Sequence, residues 1–187
     1  MKRILAAAIA VLSLAIPRAA RAQDEPDARE YAVWNAAIDS LYPDPDLRVL
    51  LLDGAQVTWA PPSGDAGAVL REKARAAGAD AATAEALVAA MRHPVQIDFA
   101  VLSSPREVVQ STRTEAMAAF REAGGATTSS TSTGVVTLSR PGFSADGNTA
   151  VVMAELLCGT RCHEGRMVRL ARAADESWHV ANVIPVW

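Results

Sequence analysis

Two thiols are the first residues of this chain whose type and spacing suggest chemistry. Cys158 and Cys162, in Cys158-Gly-Thr-Arg-Cys162, are its only cysteines. A disulfide across so short a loop removes about 2 kcal/mol of unfolded-chain entropy on the chain model. It also fixes a hairpin end that Gly159 would otherwise leave loose. Thioredoxin-like redox pairs have a two-residue spacer inside a βαβ pattern, and neither feature is present here. The pair therefore reads as a structural disulfide, with a redox-active pair as the lesser alternative.

His163 adjoins Cys162 and Glu164, which raises metal binding. A structural zinc site needs four ligands, and no second Cys or His cluster is present. His93 and His179 lie in separate segments, and two disulfide-bonded sulfurs are no longer thiolate ligands. No metal and no cofactor is expected. Hydrolase chemistry needs a nucleophile beside a base, but there is no G-x-S-x-G elbow. H-E-x-x-H, a phosphate-cradling glycine loop and a dinucleotide fingerprint are also missing from the sequence. Ser139 reads as a strand or turn hydroxyl. Glu115 and Glu122 are spaced too widely to face each other on one helical turn, so they read as solvated charges. No catalytic residue is assigned.

One constellation stays in view as a candidate ligand-binding set. If Ala154, Leu170 and Val180 point inward, Glu155, Arg169 and His179 project from the opposite sheet face on neighbouring strands. A carboxylate, a guanidinium and an imidazole together could bind or protonate a ligand. The competing reading is cross-strand charge pairing on a wet face. Trp34, Trp59, Trp178 and Trp187 could line an apolar pocket. With aromatics at only 5% of the chain, they read as core anchors.

These side chains need elements to position them. Asp27 and Glu30 have capping-box spacing, and Tyr31, Trp34, Ile38 and Leu41 share one face of a helix from Asp27 to about Tyr42. Pro43-Asp-Pro45 ends it. Val49–Leu52 and Val57–Trp59 read as a strand turned at Asp53-Gly54. Asp65 opens a second helix that Gly78 closes, and Asp80 caps a third that stops at His93-Pro94. Val95–Leu102 reads as a strand. Ser104-Pro105-Arg106-Glu107 then supplies a cap, a proline at N1 and an N3 glutamate for another helix. After the Thr127–Thr133 run, a surface loop or tether by composition, the period changes to two. Val135–Leu138, Thr149–Cys158, the Val168/Leu170 run and Trp178–Trp187 read as consecutive strands with short connections, an antiparallel meander.

The first 22 residues read as a cleaved signal peptide. Lys2 and Arg3 precede the apolar run Ile4–Ile16, and Arg18-Ala-Ala-Arg-Ala22 ends in a small-residue cleavage pattern. About 13 apolar residues are too few for the roughly 20 that a spanning helix needs. Residues 23–187 then form one exported domain, periplasmic or secreted, with no membrane span after cleavage. Removing the four basic residues of the signal leaves 14 basic against 21 acidic side chains, a net charge of −7. That balance provides no basic footprint for nucleic acid.

The C-terminal region carries a resemblance. Leu138-Ser139-Arg140-x-Gly142-Phe143-Ser144-x-Asp146-Gly147, Cys158-Gly159-x-x-Cys162 and Trp178-x-Val180 resemble a family of exported bacterial proteins of uncharacterised function. The likeness covers roughly residues 115–187. Members often carry glycine where this chain has His163. The resemblance implies export and a C-terminal sheet, and it brings no catalytic residue.

The expectation is an α+β domain with N-terminal helices packed on a C-terminal antiparallel meander, the helices covering one sheet face. A cone-shaped sheet of the cystatin or nuclear-transport-factor kind is one form it could take. The expected function is a disulfide-stapled, non-enzymatic binding module for an unknown envelope protein or small ligand. The alternative is a small extracytoplasmic enzyme with a polar pocket between helices and sheet.

Overall fold

The computed structural model describes residues 25–43, 48–52, 65–93, 95–105, 107–112, 114–115, 118, 132–159 and 162–187. The expected signal peptide, the Val57–Trp59 half-strand and residues 127–131 of the Thr/Ser run lie outside these. Helix α1 spans Ala28–Leu41 and opens on the expected capping box. The Asp27 carboxylate accepts from the Glu30 amide, and the Glu30 carboxylate accepts from the Asp27 amide, both at 2.9 Å. Two donors that a helix start leaves unsatisfied are thereby paired. Helix α2, Ala66–Ala76, starts from Asp65, and Gly78 follows its end at φ 97°, the left-handed conformation glycine adopts without strain. Helix α3, Ala81–Ala90, starts from Asp80, whose carboxylate accepts from the Thr83 amide. That bond holds the Asp80 carboxyl below its ordinary range.

The strands are β1 (Arg48–Leu52), β2 (Val108–Ser111), β3 (Ser132–Leu138), β4 (Gly142–Phe143), β5 (Thr149–Gly159), β6 (Cys162–Arg172) and β7 (Trp178–Pro185). They form one sheet in the order β2-β1-β3-β5-β6-β7, with β4 pairing β5. The run β3, β5, β6, β7 is the expected antiparallel meander. The fold is α+β, with its helices in the N-terminal half. Strand β1 adds something the sequence did not announce, because it inserts parallel between β2 and β3.

Two local expectations are corrected. Val95–Leu102 makes no strand: Val95 and Ile97 are buried, but the segment turns at Asp98, whose carboxylate and carbonyl take the amides of Ala100 and Val101. The cap pattern at Ser104 starts no helix either. The Ser104 hydroxyl donates to Asp39, and β-branched Val108 and Val109 continue into β2. A reciprocal box forms eight residues later. Thr112 donates its amide to Glu115, the Glu115 amide donates back to the Thr112 hydroxyl, and residues 114, 115 and 118 are helical.

The helices cover both faces of the sheet, which corrects the expectation of a single covered face. Alternation along β5 divides the core. Ala150, Val152 and Ala154 pack with Val168, Leu170 and the α1 residues Tyr31, Trp34 and Ile38. Val151 and Met153 face the other way, packing with Met167, Leu70 and Ala74 of α2, and Ala84 and Leu87 of α3. Burying a Leu- or Ile-sized side chain stabilises by about 1.5–3 kcal/mol, so two such layers are a substantial driving force.

Helix α1 is also pinned by polar contacts. Glu30, 4% exposed, pairs with Arg140 through Nε at 2.5 Å and a second guanidinium nitrogen at 3.2 Å. The Trp34 indole donates to the Ser139 carbonyl at 2.9 Å. Replacing Arg140 with alanine leaves a buried carboxylate uncompensated. Arg140→Ala is therefore expected to lower the unfolding free energy by about 3–5 kcal/mol in urea titrations. At Gly142 the backbone of Leu87 sits where a Cβ would project, so helix and strand touch main chain to main chain. Gly142→Ala should separate α3 from the sheet and cost about 1–3 kcal/mol by the same measurement.

Candidate functional site

The hairpin expected around the cysteines is present. Strands β5 and β6 pair from Thr149↔Ala171 to Gly159↔Cys162, with a register shift between Leu157 and Gly159. The Cys158 and Cys162 side chains lie outside the described residues, as do residues 160 and 161.

Glu155, Arg169 and His179 do share a face, the one opposite Ala154, Leu170 and Val180. That face is not the wet surface of the charge-pairing reading, since α2 and α3 pack on it. Nor do the three residues meet. Glu155 lies level with Gly165 on β6, and His179 lies level with Ala171, six residues along. At 3.3 Å per residue that is a separation of about 20 Å. Each has a different environment. Arg169 Nε and Asn182 Nδ2 both donate to the Ala77 carbonyl, at 3.0 Å each. A cation at the end of α2 suits the partial negative charge there. His179 is exposed, and Glu155 is 3% exposed.

The grouping that sequence reasoning missed surrounds Glu155. His163 Nε2 lies 2.6 Å from Glu155 Oε1. With the carboxylate ionised it accepts, and the ring nitrogen donates. The His163 side chain is 41% exposed and its carboxylate partner 4%, so the pair runs from solvent into the sheet. The Trp187 ring meets the imidazole edge-on at a centroid distance of 5.3 Å and lies over Gly165, where a Cβ would come within 2.5 Å of the indole. One signal was available. A hairpin that sets Leu157 against His163 and Glu155 against Gly165 places Glu155 diagonal to His163 on one face.

Among the described residues, two clefts flank the fold. One of about 650 Å³ is lined by Glu25, Pro26, Gln96, Ile97, Asp98, Phe99 and Gln110, between the start of α1, the turn at Asp98 and β2. The other, about 410 Å³, runs along the ends of β6 and β7 past Glu164, Arg166, Val183 and Trp187. Neither contains Glu155, Arg169 or His179. Burial drives the Tyr42 phenol well above the ordinary tyrosine range, against the pull of nearby Arg166. Tyr42 is thus a neutral hydroxyl and no proton acceptor. Ser139, 1% exposed, accepts from the Met153 amide and donates to the Arg140 carbonyl, as a structural hydroxyl does. Among the described residues, no three His, Cys, Asp or Glu side chains cluster in a way that could hold a metal. No described helix is long and apolar enough to cross a membrane.

The Glu155–His163 pair has a measurable signature. His163→Ala leaves the buried carboxylate without its donor and should destabilise by about 1–3 kcal/mol. Glu155→Gln combined with His163→Ala should cost less than the sum of the two single changes, and urea unfolding of the four proteins completes that cycle. Comparison with known proteins adds no relative on which to model the site: no family model, no curated protein and no solved structure matches this chain.

Proposed function

We propose that this chain is an exported, periplasmic or secreted protein that works as a non-enzymatic binding module. Its Cys158–Cys162 hairpin is stapled by a disulfide, and its partner presents a cationic segment. The observation that carries the reading is the cleft of about 650 Å³. Glu25 and Asp98 contribute carboxylates, Gln96 and Gln110 contribute amides, and Ile97, Phe99 and Pro26 make an apolar wall. Among the described residues, no basic side chain lines it. A few polar groups on an apolar surface are what orient a ligand without transforming it. The carboxylates of Glu25 and Asp98 favour an aliphatic or aromatic segment bearing lysine or arginine. The signal-like first 22 residues and the tail's resemblance to exported proteins support the location.

The second reading, a small extracytoplasmic enzyme, is favoured by one observation, the half-exposed imidazole on a buried carboxylate at His163 and Glu155. The geometry supports it less well, because neither cleft is lined by either residue.

The test is amide NMR of the protein exported by its own leader and purified from the periplasm. It is titrated with a short lysine- and leucine-containing peptide and, separately, with its glutamate counterpart. The lysine peptide should shift the amides of residues 96–99 and Gln110, and salt should weaken the effect. Equal shifts from both peptides, or none in this cleft, would refute the proposed partner chemistry. Intact mass of the same sample should match a chain starting near Gln23 and lacking two hydrogens.

A further inference from the structure

Thr137 and Glu155 are direct cross-strand partners in β3 and β5, and Gly165 is the next residue across, in β6. Directly opposed residues place their Cβ atoms about 4.5–5.5 Å apart on the same face. Thr137 is 1% exposed and Glu155 is 3% exposed. One carboxylate oxygen, Oε1, is held by His163 at 2.6 Å. The other, Oε2, and the Thr137 hydroxyl oxygen are both shielded from solvent and have no hydrogen-bond partner among the described residues. Two such orphans on adjacent positions of one face are unusual, because buried polar atoms are nearly always paired. Leaving a buried acceptor unpaired costs about 1–3 kcal/mol, and more when it is charged. One interaction that satisfied both atoms would remove both penalties.

We infer that Glu155 Oε2 and Thr137 Oγ1 form a binding site for a single internal water molecule. The chemistry of the pair defines the ligand. Oε2 only accepts, while the hydroxyl can donate or accept, so the occupant must donate at least one hydrogen and fit between neighbouring strands. Water does both, and it needs only two to four polar partners. His163 already occupies the other oxygen, so the remaining one calls for a small donor that fits between the strands. Gly165 contributes no side chain on the far flank of Glu155, where the Trp187 ring lies over it.

A high-resolution crystal structure of the mature, disulfide-intact protein tests this directly. Density for a water within hydrogen-bond distance of both Oε2 and Oγ1 is expected. Thermal unfolding supplies a reading of opposite sign for the two cases. If the water is bound, Thr137→Val removes one of its anchors and should lower the midpoint by about 2–4 °C, whereas Thr137→Ser, which keeps the hydroxyl, should stay near wild type. If the hydroxyl is a true orphan, the same valine substitution deletes a desolvation penalty, and the midpoint holds or rises. A midpoint equal to or above wild type overturns the inference. So does a crystal structure with a protein atom at that point, or with the Thr137 hydroxyl bonded straight to Oε2. The crystallographic arm uses the unaltered chain and decides the matter even if the valine variant fails to fold.

Discussion

The buried ion pair between Glu30 and Arg140 is the contact on which the architecture hangs. Glu30 has two tasks, closing the capping box of α1 and neutralising a guanidinium 110 residues further along the chain. Four residues on, Trp34 reaches the carbonyl of Ser139. Ser139 itself continues the β3–β5 ladder past the end of β3, exchanging its amide and hydroxyl with the main chain of Met153. One network therefore sets the start of a helix, the corner between β3 and β4, and the alignment of the long hairpin strand. Charge burial of this kind is strongly unfavourable unless every lone pair is served. The capping amide and the bidentate guanidinium serve both oxygens of Glu30, so the geometry has little freedom to drift.

From that corner the sheet separates two apolar layers, and the division explains the fate of its polar residues. A strand exposes alternate side chains to alternate faces. Once α1 covers one face and α2 and α3 the other, a charged residue on a central strand has no wet side to occupy. Glu155 answers this with an imidazole at the rim, and Arg169 by reaching the open end of α2. Gly142 and Gly165 are the complementary solution, positions where a missing side chain lets a helix backbone or an indole ring come close.

Much of this was legible in the residues. The caps at Asp27, Asp65 and Asp80 have short-range causes, an acceptor placed to meet amides two or three positions on, and all three helices start where those residues stand. The meander was legible because alternation survives in Thr149–Leu156, although in β7 an irregularity between Val180 and Asn182 turns Ile184 to the face opposite Trp178 and Val180. The cap-like Ser104 cluster misled because propensity is local and Asp39 is not. The Ser104 hydroxyl turned to a distant carboxylate, and the chain was drawn into the sheet beside β1. Parallel insertion of β1 left no trace in its own five residues, since pairing between distant segments is written in neither partner alone. For the site, parity correctly put Glu155, Arg169 and His179 on one face. Parity says nothing about how far apart residues lie along a strand, or whether helices cover that face.

The placement of β1 also dictates an order of assembly. Its neighbours are β2, near residue 110, and β3, near residue 135, while α1 waits for Ser139 and Arg140. Synthesis delivers the N-terminal half first, yet that half can close only after the segment beyond residue 132 has arrived. Long loops must be closed before such contacts are rewarded, whereas the β5–β6 hairpin can form from neighbours in sequence. The late-made hairpin is thus the natural seed, and the early-made segments anneal onto it. Until then, the apolar stripe of α1 and the Leu50–Leu52 edge stand open to proteases and to other unfinished chains.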